Sequence, residues 1–392
     1  MLIRSHALLA ALSGAAQASA ALSYWVLGPA VALVLSIGSS AGLGAPIGPE
    51  AAANAGARTT AHPVRHVFVV NIENKGFDKT WGSSSKAPYL ARTLRGKGVL
   101  LSKYYGTAHN SQGNYIAQIS GQGPNAEMQS DCQRFSNFVK TGTASPGQLR
   151  GTGCVFPPGT PTLVAQLHAA HRTWKAYLGD MGSSCRHPVV GTRDRTESAK
   201  VGDQYATKHN PFVYFHSIID HPAYCKATVV PLTRLANDLK RVSSTPNLTY
   251  ITPDLCDDGH DSPCVDGRPG GLVSVNTWMK RYVPKILASP AFRKDGLLVI
   301  TADESDGAGS DSTACCGEGA STNSPTPGIQ GPGGGRIGAL VISPFTHAGT
   351  TSRTPYNHYS LLASIENSFG LGHIGYARTS GLKAFGADVY SK

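Results

Sequence analysis

A serine and an asparagine stand three residues apart in the segment 107–125, TAHNSQGNYIAQISGQGPN. Gly113 lies just before a predicted helix, 114–121, at a point where the backbone must turn sharply. This order places Ser111 near a helix N-terminus, whose free N–H groups favour an anion, and Asn114 can direct its amide to the same point. These groups together can attack and hold a phosphoryl group, although the same pattern also describes an ordinary helix N-cap.

Acidic and amide residues gather at the carboxyl ends of three predicted strands. They are Glu73 and Asn74 after strand 66–73, Asp254, Asp257, Asp258, His260 and Asp261 after strand 247–254, and Asp303 and Glu304 in strand 295–305. Any one of these clusters is typical of N-caps and solvated loop acids. Three clusters at one edge of one sheet would repel one another unless a cation lay among them.

The elements that must position these residues alternate between strand and helix. The predicted strands are 66–73, 174–180, 247–254, 295–305 and 336–343, and the predicted helices are 87–96, 114–121, 160–171, 231–242, 274–289 and 358–369. This alternation is typical of an α/β fold with a doubly wound, mostly parallel sheet and helices on both faces. In such sheets ligands bind beyond the carboxyl ends of the strands.

Length and composition indicate a folded chain with long ordered loops. The 392 residues include 45 Gly and 25 Pro, and 15% are charged, which allows one large core or two smaller ones. The formal charge is +11, but there is no dense Lys/Arg run, no interleaved aromatic stripe and no zinc-finger spacing. We therefore expect no nucleic-acid partner and interpret the charge as a basic surface that attracts anionic substrates.

The N-terminal part of the chain is typical of an exported protein. A basic start precedes an Ala-rich run that ends in AQASA, and a second apolar run spans residues 24–43. Cleavage after an Ala-x-Ala site, a signal at 23–46 behind an upstream start codon, and a retained membrane anchor are the alternatives. We expect an export segment over 1–46, a disordered linker over 47–62, a secreted product, and no stable membrane span in the mature form.

Eight cysteines fit the same oxidising environment. None shows CxxC spacing, so disulfides are favoured over a zinc site. We expect the short-range pairs Cys132–Cys154, Cys185–Cys225 and Cys256–Cys264, although the sequence does not determine the connectivity. The adjacent Cys315 and Cys316 form either a vicinal disulfide or bridges elsewhere.

Five segments resemble a known enzyme family, in the family's own order. They are HVFVVNIENKGFD (66–78), HNSQGNYIAQISG (109–121), TPDLCDDGHD (252–261), ITADESDG (300–307) and HYSLLASIENSFGL (358–371). The chain resembles the bacterial phosphoesterase family of secreted acid phosphatases and phospholipases C, a branch of the alkaline phosphatase superfamily, and is most similar to the short secreted acid phosphatases. The resemblance implies an alkaline phosphatase-like fold and a single catalytic domain over 63–392. Lys75 and Gly76 stand where the family more often has Arg and Ser, and Gly259 stands where Met is frequent.

The resemblance also implies a role for each polar residue. The metal ligands would be Glu73, Asn74, Ser111, Asp303 and Glu304, whose oxygen atoms favour a hard divalent cation such as Mg²⁺, Ca²⁺ or Mn²⁺. The catalytic residues would be Ser111 as nucleophile, Asn114 on a phosphoryl oxygen, and His260 and His358 on the leaving-group side. The substrate-binding residues would be His109, Asp258 and Asp261.

The activity implied is metal-dependent hydrolysis of phosphomonoesters through a phosphoserine intermediate. The partner would be a phosphorylated small molecule or a phospholipid head group. The alternatives are a phospholipase C-type phosphodiesterase and a non-catalytic cell-surface binding protein. A serine esterase is disfavoured, because Ser111 lies between Asn110 and Gln112 and not within Gly-x-Ser-x-Gly.

Overall fold

The computed structural model describes residues 64–317 and 319–391. The expectations for the export segment at 1–46 and the linker at 47–62 lie outside these described residues. Within them, no helix combines the length and the apolar character that crossing a bilayer requires.

The strands form one large sheet and two small ones. They are β1 His66–Ile72, β2 Val99–Leu101, β3 Tyr104–Tyr105, β4 Val139–Ala144, β5 Gln148–Thr152, β6 Trp174–Leu178, β7 Val229–Pro231, β8 Leu248–Thr252, β9 Gly296–Ala302, β10 Ala339–Ile342, β11 Thr351–Ser352 and β12 Tyr356–Asn357. The large sheet has the order β11-β2-β10-β9-β1-β8-β6-β7, while β3 pairs with β12 and β4 pairs with β5.

Five adjacent strands of the large sheet run parallel, in the order β9-β1-β8-β6-β7. Every residue of β1, β8 and β9 is buried, because these apolar runs are covered on both faces, as parallel sheets require. The predicted strand 336–343 is the shorter β10, which runs antiparallel to β9 and β2. The α/β fold with a mostly parallel sheet is thus confirmed, and the carboxyl ends of β9, β1 and β8 lie side by side.

The helices form two groups, as expected for a doubly wound sheet. They are α1 Phe77–Trp81, α2 Ser111–Ser120, α3 Leu163–Ala169, α4 His216–Ile219, α5 Pro222–Thr228, α6 Leu235–Asp238, α7 Gly271–Ala288, α8 Pro290–Asp295 and α9 His358–Phe369. Helices α2, α3 and α9 pack together, and α7 packs with α8 and with the short helical segment Tyr89–Leu94. The predicted helix at 231–242 is wrong in extent, since only one turn, α6, and a short turn before it are helical.

Helix α2 begins three residues earlier than predicted, so Ser111 is its first residue. Gly113 therefore lies inside the helix and not in a turn before it. A Cβ at this position would stand 3.0 Å from Ala108 Cβ and 3.1 Å from Pro124 Cβ. The glycine permits this close approach of the loop 107–110 to the helix.

Four disulfides brace the loops at the carboxyl edge of the sheet. Cys132–Cys154, Cys185–Cys225 and Cys256–Cys264 are paired as expected, and Cys315 pairs with Cys316. Of the two alternatives for the adjacent cysteines, the vicinal disulfide is the one observed. Cys256–Cys264 encloses the acidic segment after β8, so it limits the movement of that segment.

We predict that buried Glu366 makes stability depend on pH. Burial raises its pKa to about 8, although contacts with Ile374 N–H and the Gln166 side chain act to lower it. Oε1 accepts the hydrogen bond from Ile374 N at 3.1 Å. The folded state therefore holds a proton that the unfolded state releases, and stability should fall as pH rises from about 4.5 to about 8, by at most roughly 1.4 kcal/mol per pH unit.

Urea unfolding at pH 5 and at pH 8 tests this. Glu366→Gln stays neutral, so the variant should lose less stability than wild type between the two pH values. Equal losses in both proteins would contradict the assignment.

Candidate active site

Ser111 lies between two carboxylates at the start of α2. Its side chain is buried, with 1% exposed, and Oγ lies 3.0 Å from Glu73 Oε2 and 3.5 Å from Glu304 Oε1. Glu73 follows β1, and Glu304 follows β9, its parallel neighbour. The hydroxyl donates to Glu73, the nearer acceptor, and this hydrogen bond orients Oγ.

Asp303 completes a group of three fully buried acids. Its Oδ1 accepts a hydrogen bond from Asn74 N at 3.0 Å, and its carboxyl group also contacts Glu73. Burial, followed by repulsion from neighbouring acids, raises the pKa of Asp303 and of Glu304 well above their usual range. Three acids that share one buried space disfavour each other's charge, so the site favours a positive partner.

His209 supplies part of that positive charge. Nε2 lies 3.0 Å from Glu73 Oε1 and Nδ1 lies 3.1 Å from Asp258 Oδ2, while the ring stacks on Tyr115 with centroids 5.3 Å apart. Burial by itself lowers the pKa of His209, but Glu73 and Asp258 raise it to about 10. Burial likewise acts to raise the pKa of Glu73, and the charge of His209 reverses this and lowers it.

The oxygen donors at this edge fit a hard divalent cation. Asn74 Oδ1 is buried and has no hydrogen-bond partner. Asn74 follows Glu73 in the chain and donates its backbone N–H to Asp303. Buried acceptors without donors are costly unless a cation or proton satisfies them. A hard cation prefers such a set of oxygen ligands.

Among the described residues, one group offers three metal-binding atoms within 4.8 Å of one another: Cys256, Cys264 and Asp266. Its two sulfur atoms form a disulfide and supply no thiolate. Glu73, Asp303 and Glu304 are not gathered within that distance. Binding one cation would therefore require these carboxylates to turn toward one another.

Asn114 braces the loop that precedes the nucleophile. Its Oδ1 accepts from Thr107 N at 2.7 Å and Ala108 N at 2.9 Å, and its Nδ2 donates to Ala108 O at 2.8 Å and Asn110 O at 3.3 Å. Both donor hydrogens are used within the loop. These bonds position the loop before Ser111, and the predicted contact of Asn114 with a phosphoryl oxygen stays a prediction.

Asn114→Ala should therefore lower stability as well as activity. Removal of the amide leaves the buried N–H groups of Thr107 and Ala108 without an acceptor, which costs about 1–3 kcal/mol for each such group. Chemical unfolding measures this loss, and steady-state kinetics measures the accompanying fall in turnover. Gln118→Ala is a matched control, since it removes a buried amide from the same helix. An Asn114→Ala protein with wild-type stability and reduced turnover would instead support a direct contact between Asn114 and phosphate.

His358 supports the acid cluster from behind. Nε2 donates to the carbonyl oxygen of Asp303 at 2.6 Å, and Nδ1 accepts from the Tyr104 hydroxyl at 3.1 Å. The ring is fully buried, and burial lowers the pKa to about 4. A neutral imidazole with both nitrogens engaged has no proton for a leaving group, so the predicted catalytic role is not supported.

His109 and Asp258 are likewise held by the protein. His109 is buried, with Nδ1 against the Glu304 carboxylate and Nε2 3.0 Å from Asp311 O. Asp258 is buried between His209 and the backbone N–H of His260, which donates at 2.7 Å. These contacts hold both side chains in place, and their predicted contacts with substrate stay predictions.

His260 and Asp261 remain accessible beside the cluster. Both are partly exposed, and His260 Nδ1 lies 2.8 Å from Asp261 Oδ1. The ring centroid of His260 is 5.9 Å from that of His209. This pairing orients the imidazole and leaves Nε2 for a ligand. Gly259, with φ +99°, supplies a backbone conformation that side chains disfavour, which accounts for the glycine at this position.

The N-terminus of α2 is partly capped by the protein itself. Asp131 Oδ1 accepts from Gln112 N at 3.0 Å, and Asp131 Oδ2 accepts from Lys208 Nζ at 3.0 Å. One of the N–H groups expected to face an anion is therefore already bonded. Asp131 and Lys208 hold the first turn of α2, and with it Ser111.

Sequence reasoning missed His209, Lys208 and Asp131. They lie in long loops, where no strand end or periodic pattern marks them. The segment TKHNPF, 207–212, offers one signal: Lys, His and Asn side chains in a row before an apolar run. Its importance depends on the tertiary contact with Glu73, which the sequence does not show.

Comparison with known proteins identifies relatives over most of the chain. A phosphate-repressible acid phosphatase of Penicillium chrysogenum is 27% identical over 81% of this chain, and a probable acid phosphatase of Kluyveromyces lactis is 24% identical over 79%. A phosphatidylinositol-3-phosphatase of Mycobacterium tuberculosis is 23% identical over 80% of this chain and 79% of its own length. The chain spans 65% and 59% of the first two relatives.

Solved structures resemble this fold at low identity. A protein of the alkaline phosphatase superfamily from Vibrio parahaemolyticus has a TM-score of 0.44 and 11% identity over 79% of this chain and 67% of its own. The lipoteichoic acid synthase LtaP from Listeria monocytogenes has a TM-score of 0.44 and 11% identity, over 84% and 76%.

The pattern of the Phosphoesterase family matches residues 83–372, which begins after Glu73 and Asn74 but includes Ser111, His209, His260, Asp303 and Glu304. That match covers well over half of the sequence, so this chain belongs to the Phosphoesterase family.

Proposed function

We propose that this protein is a metal-dependent phosphoesterase of the acid phosphatase type that hydrolyses phosphomonoesters through a phosphoserine on Ser111. One observation carries the proposal: Ser111 Oγ is buried at a helix start and donates to Glu73 at 3.0 Å, beside Asp303 and Glu304. The acid phosphatases among the similar proteins support the same reaction class.

The bound cation would be held by Glu73, Asn74, Ser111, Asp303 and Glu304, and when bound it would neutralise phosphate charge and favour the ionised serine. Glu73 Oε2 orients Ser111 Oγ through their 3.0 Å hydrogen bond. The proton of Oγ passes to Glu304, which lies 3.5 Å from the same oxygen and whose pKa is raised by burial and by the neighbouring acids. The serine oxygen then forms a bond to phosphorus as the bond from phosphorus to the leaving-group oxygen breaks. His209, as a buried cation, offsets the negative charge of Glu73 and Asp258 during this step.

His260 is the proposed proton donor to the leaving group. Its Nδ1 is engaged by Asp261 at 2.8 Å, so Nε2 can carry a proton toward the departing alkoxide. The partial exposure of the ring suits a group that must meet substrates of different size. Water then forms a bond to phosphorus and gives one proton to His260, the bond from phosphorus to Ser111 Oγ breaks, and Glu304 returns its proton to Oγ.

Hydrolysis of p-nitrophenyl phosphate with and without chelator tests the proposal. We expect turnover that chelator abolishes and that Mg²⁺, Ca²⁺ or Mn²⁺ restores. Bis-p-nitrophenyl phosphate, assayed in parallel, distinguishes the phosphodiesterase alternative. No hydrolysis of either ester by the metal-loaded protein would favour the non-catalytic binding protein.

We also propose that the enzyme acts outside the cytoplasm. The four disulfides support this, since such bonds persist in oxidising compartments. N-terminal sequencing of protein recovered from culture medium would locate the start of the mature form. Recovery of the protein from the cytosol alone, with reduced thiols, would exclude action outside the cytoplasm.

A further inference from the structure

The segment 186–203 presents two turns, each with an exposed valine at its tip. Val189 begins the first turn, where Thr192 N donates to Val189 O at 3.0 Å. Val201 lies in the second turn, which Lys200 and Asp203 close with backbone hydrogen bonds of 2.8 and 2.9 Å. Val189 is 73% exposed and Val201 is 77% exposed, the two highest values among the large exposed apolar residues of the described ranges.

Positive charges lie between these two tips. Arg193 and Arg195 are exposed, and neither guanidinium pairs with a carboxylate of the described residues. Lys200 is also exposed, and its Nζ donates to Arg195 O at 3.1 Å. The two exposed valines therefore flank, along the chain, cations that pair with no carboxylate of the described residues.

The acids of this segment are paired with cations or buried within the protein. Asp203 accepts two hydrogen bonds from Arg186, at 2.6 and 2.7 Å. Glu197 Oε2 lies 3.9 Å from Lys208 Nζ. Asp194 is buried, with 2% exposed, and its Oδ1 accepts from Thr196 N at 2.9 Å. The outward face therefore keeps its positive charge.

Part of the segment lines an open cleft. Arg193 and Arg195 line it together with Arg186, Thr192 and Thr196, and the two unpaired guanidinium groups suit a phosphate. The Arg186 guanidinium and the two threonine hydroxyls are already bonded within the protein.

We propose that segment 186–203 docks on an anionic phospholipid membrane. Val189 and Val201 would enter the interfacial region, and Arg193, Arg195 and Lys200 would contact lipid phosphates, which is the combination that binds peripheral proteins to anionic bilayers. The Cys185–Cys225 disulfide anchors the start of the segment.

Vesicle sedimentation of the full chain tests the electrostatic part. The vesicles are phosphatidylcholine, alone or with about one third phosphatidylglycerol, and we expect binding to the anionic vesicles that added salt weakens. Each cation near an anionic leaflet strengthens binding roughly fivefold, so Arg193→Ala with Arg195→Ala should weaken it about 25-fold. The control, Lys240→Ala with Arg241→Ala, removes two exposed cations on the segment before β8 and should leave binding within about twofold of wild type.

A local probe separates this surface from any other membrane-binding part of the chain. Val201→Trp should show a blue shift of its added emission, and quenching by brominated lipid, only with anionic vesicles. Val139→Trp, at a valine that is 62% exposed on the β4–β5 hairpin, should show neither.

Three results would overturn the proposal: no emission change for Val201→Trp, equal changes at the two positions, or equal losses in the two charge variants. Hydrolysis of p-nitrophenyl phosphate should be unchanged in every variant, because none of these residues contacts the candidate active site.

Discussion

Ser111→Ala should reduce turnover of p-nitrophenyl phosphate by several orders of magnitude, beyond the roughly 10²–10³-fold typical of losing one oxyanion donor. The variant lacks the oxygen that forms the bond to phosphorus. Stability should change little, because Glu73 keeps its contacts to His209 and Tyr115. Steady-state kinetics and chemical unfolding of the same preparations separate the two effects.

Covalent trapping adds a direct readout of the nucleophile. Wild-type enzyme quenched in acid during turnover should carry phosphate on the peptide that contains Ser111, as mass spectrometry would show. Ser120→Ala is the matched control, since this serine lies on the same helix and donates to Ile116 O at 2.8 Å. A Ser111→Ala protein that keeps more than about a tenth of wild-type activity would place the nucleophile elsewhere.

Asp303→Asn should abolish activity while stabilising the protein in the presence of chelator. Its raised pKa shows that a buried charge at this position is unfavourable without a cation. The neutral amide removes repulsion from Glu73 and Glu304, for an expected gain of about 1–2 kcal/mol. It also weakens cation binding, and the loss of that charge stabilisation should cost roughly 10³-fold in turnover.

Thermal unfolding with chelator and with added Mg²⁺ or Mn²⁺ measures both changes. A cation that binds only the folded state raises the unfolding temperature of wild type, and Asp303→Asn should lose most of that rise. Asp306→Asn is the control: this acid lies three residues away and pairs with Lys79 at 3.0 Å. Wild type that is indifferent to cations, or a variant that is less stable than wild type in chelator, would contradict the assignment.

The sequence alone gives different amounts of information about Glu366 and about Asn114. In the sequence, Glu366 is an ordinary polar residue near a helix end, and only its burial in the folded protein changes its pKa. Asn114 reads as an amide aimed at phosphate, because helical spacing places it one turn after Ser111. The loop 107–110 folds back over that turn and uses both of its donor hydrogens.

The sequence by itself determined the parallel sheet and the acids at its carboxyl edge. Continuous apolar runs must be buried on both faces, and parallel strands place their ends together, so the nearness of Glu73 and Asp303 follows from pattern and topology. Ser111 was predicted from the helix-start pattern at α2. The three short-range disulfides could also be expected, because cysteines close together in the chain pair readily. Only the tertiary structure decided which polar groups face the site and which support it. His209 reaches Glu73 from a loop more than 130 residues away along the chain, and His358 is buried with both nitrogens engaged. These outcomes depend on burial and on long-range hydrogen-bond partners, neither of which residue type or spacing encodes.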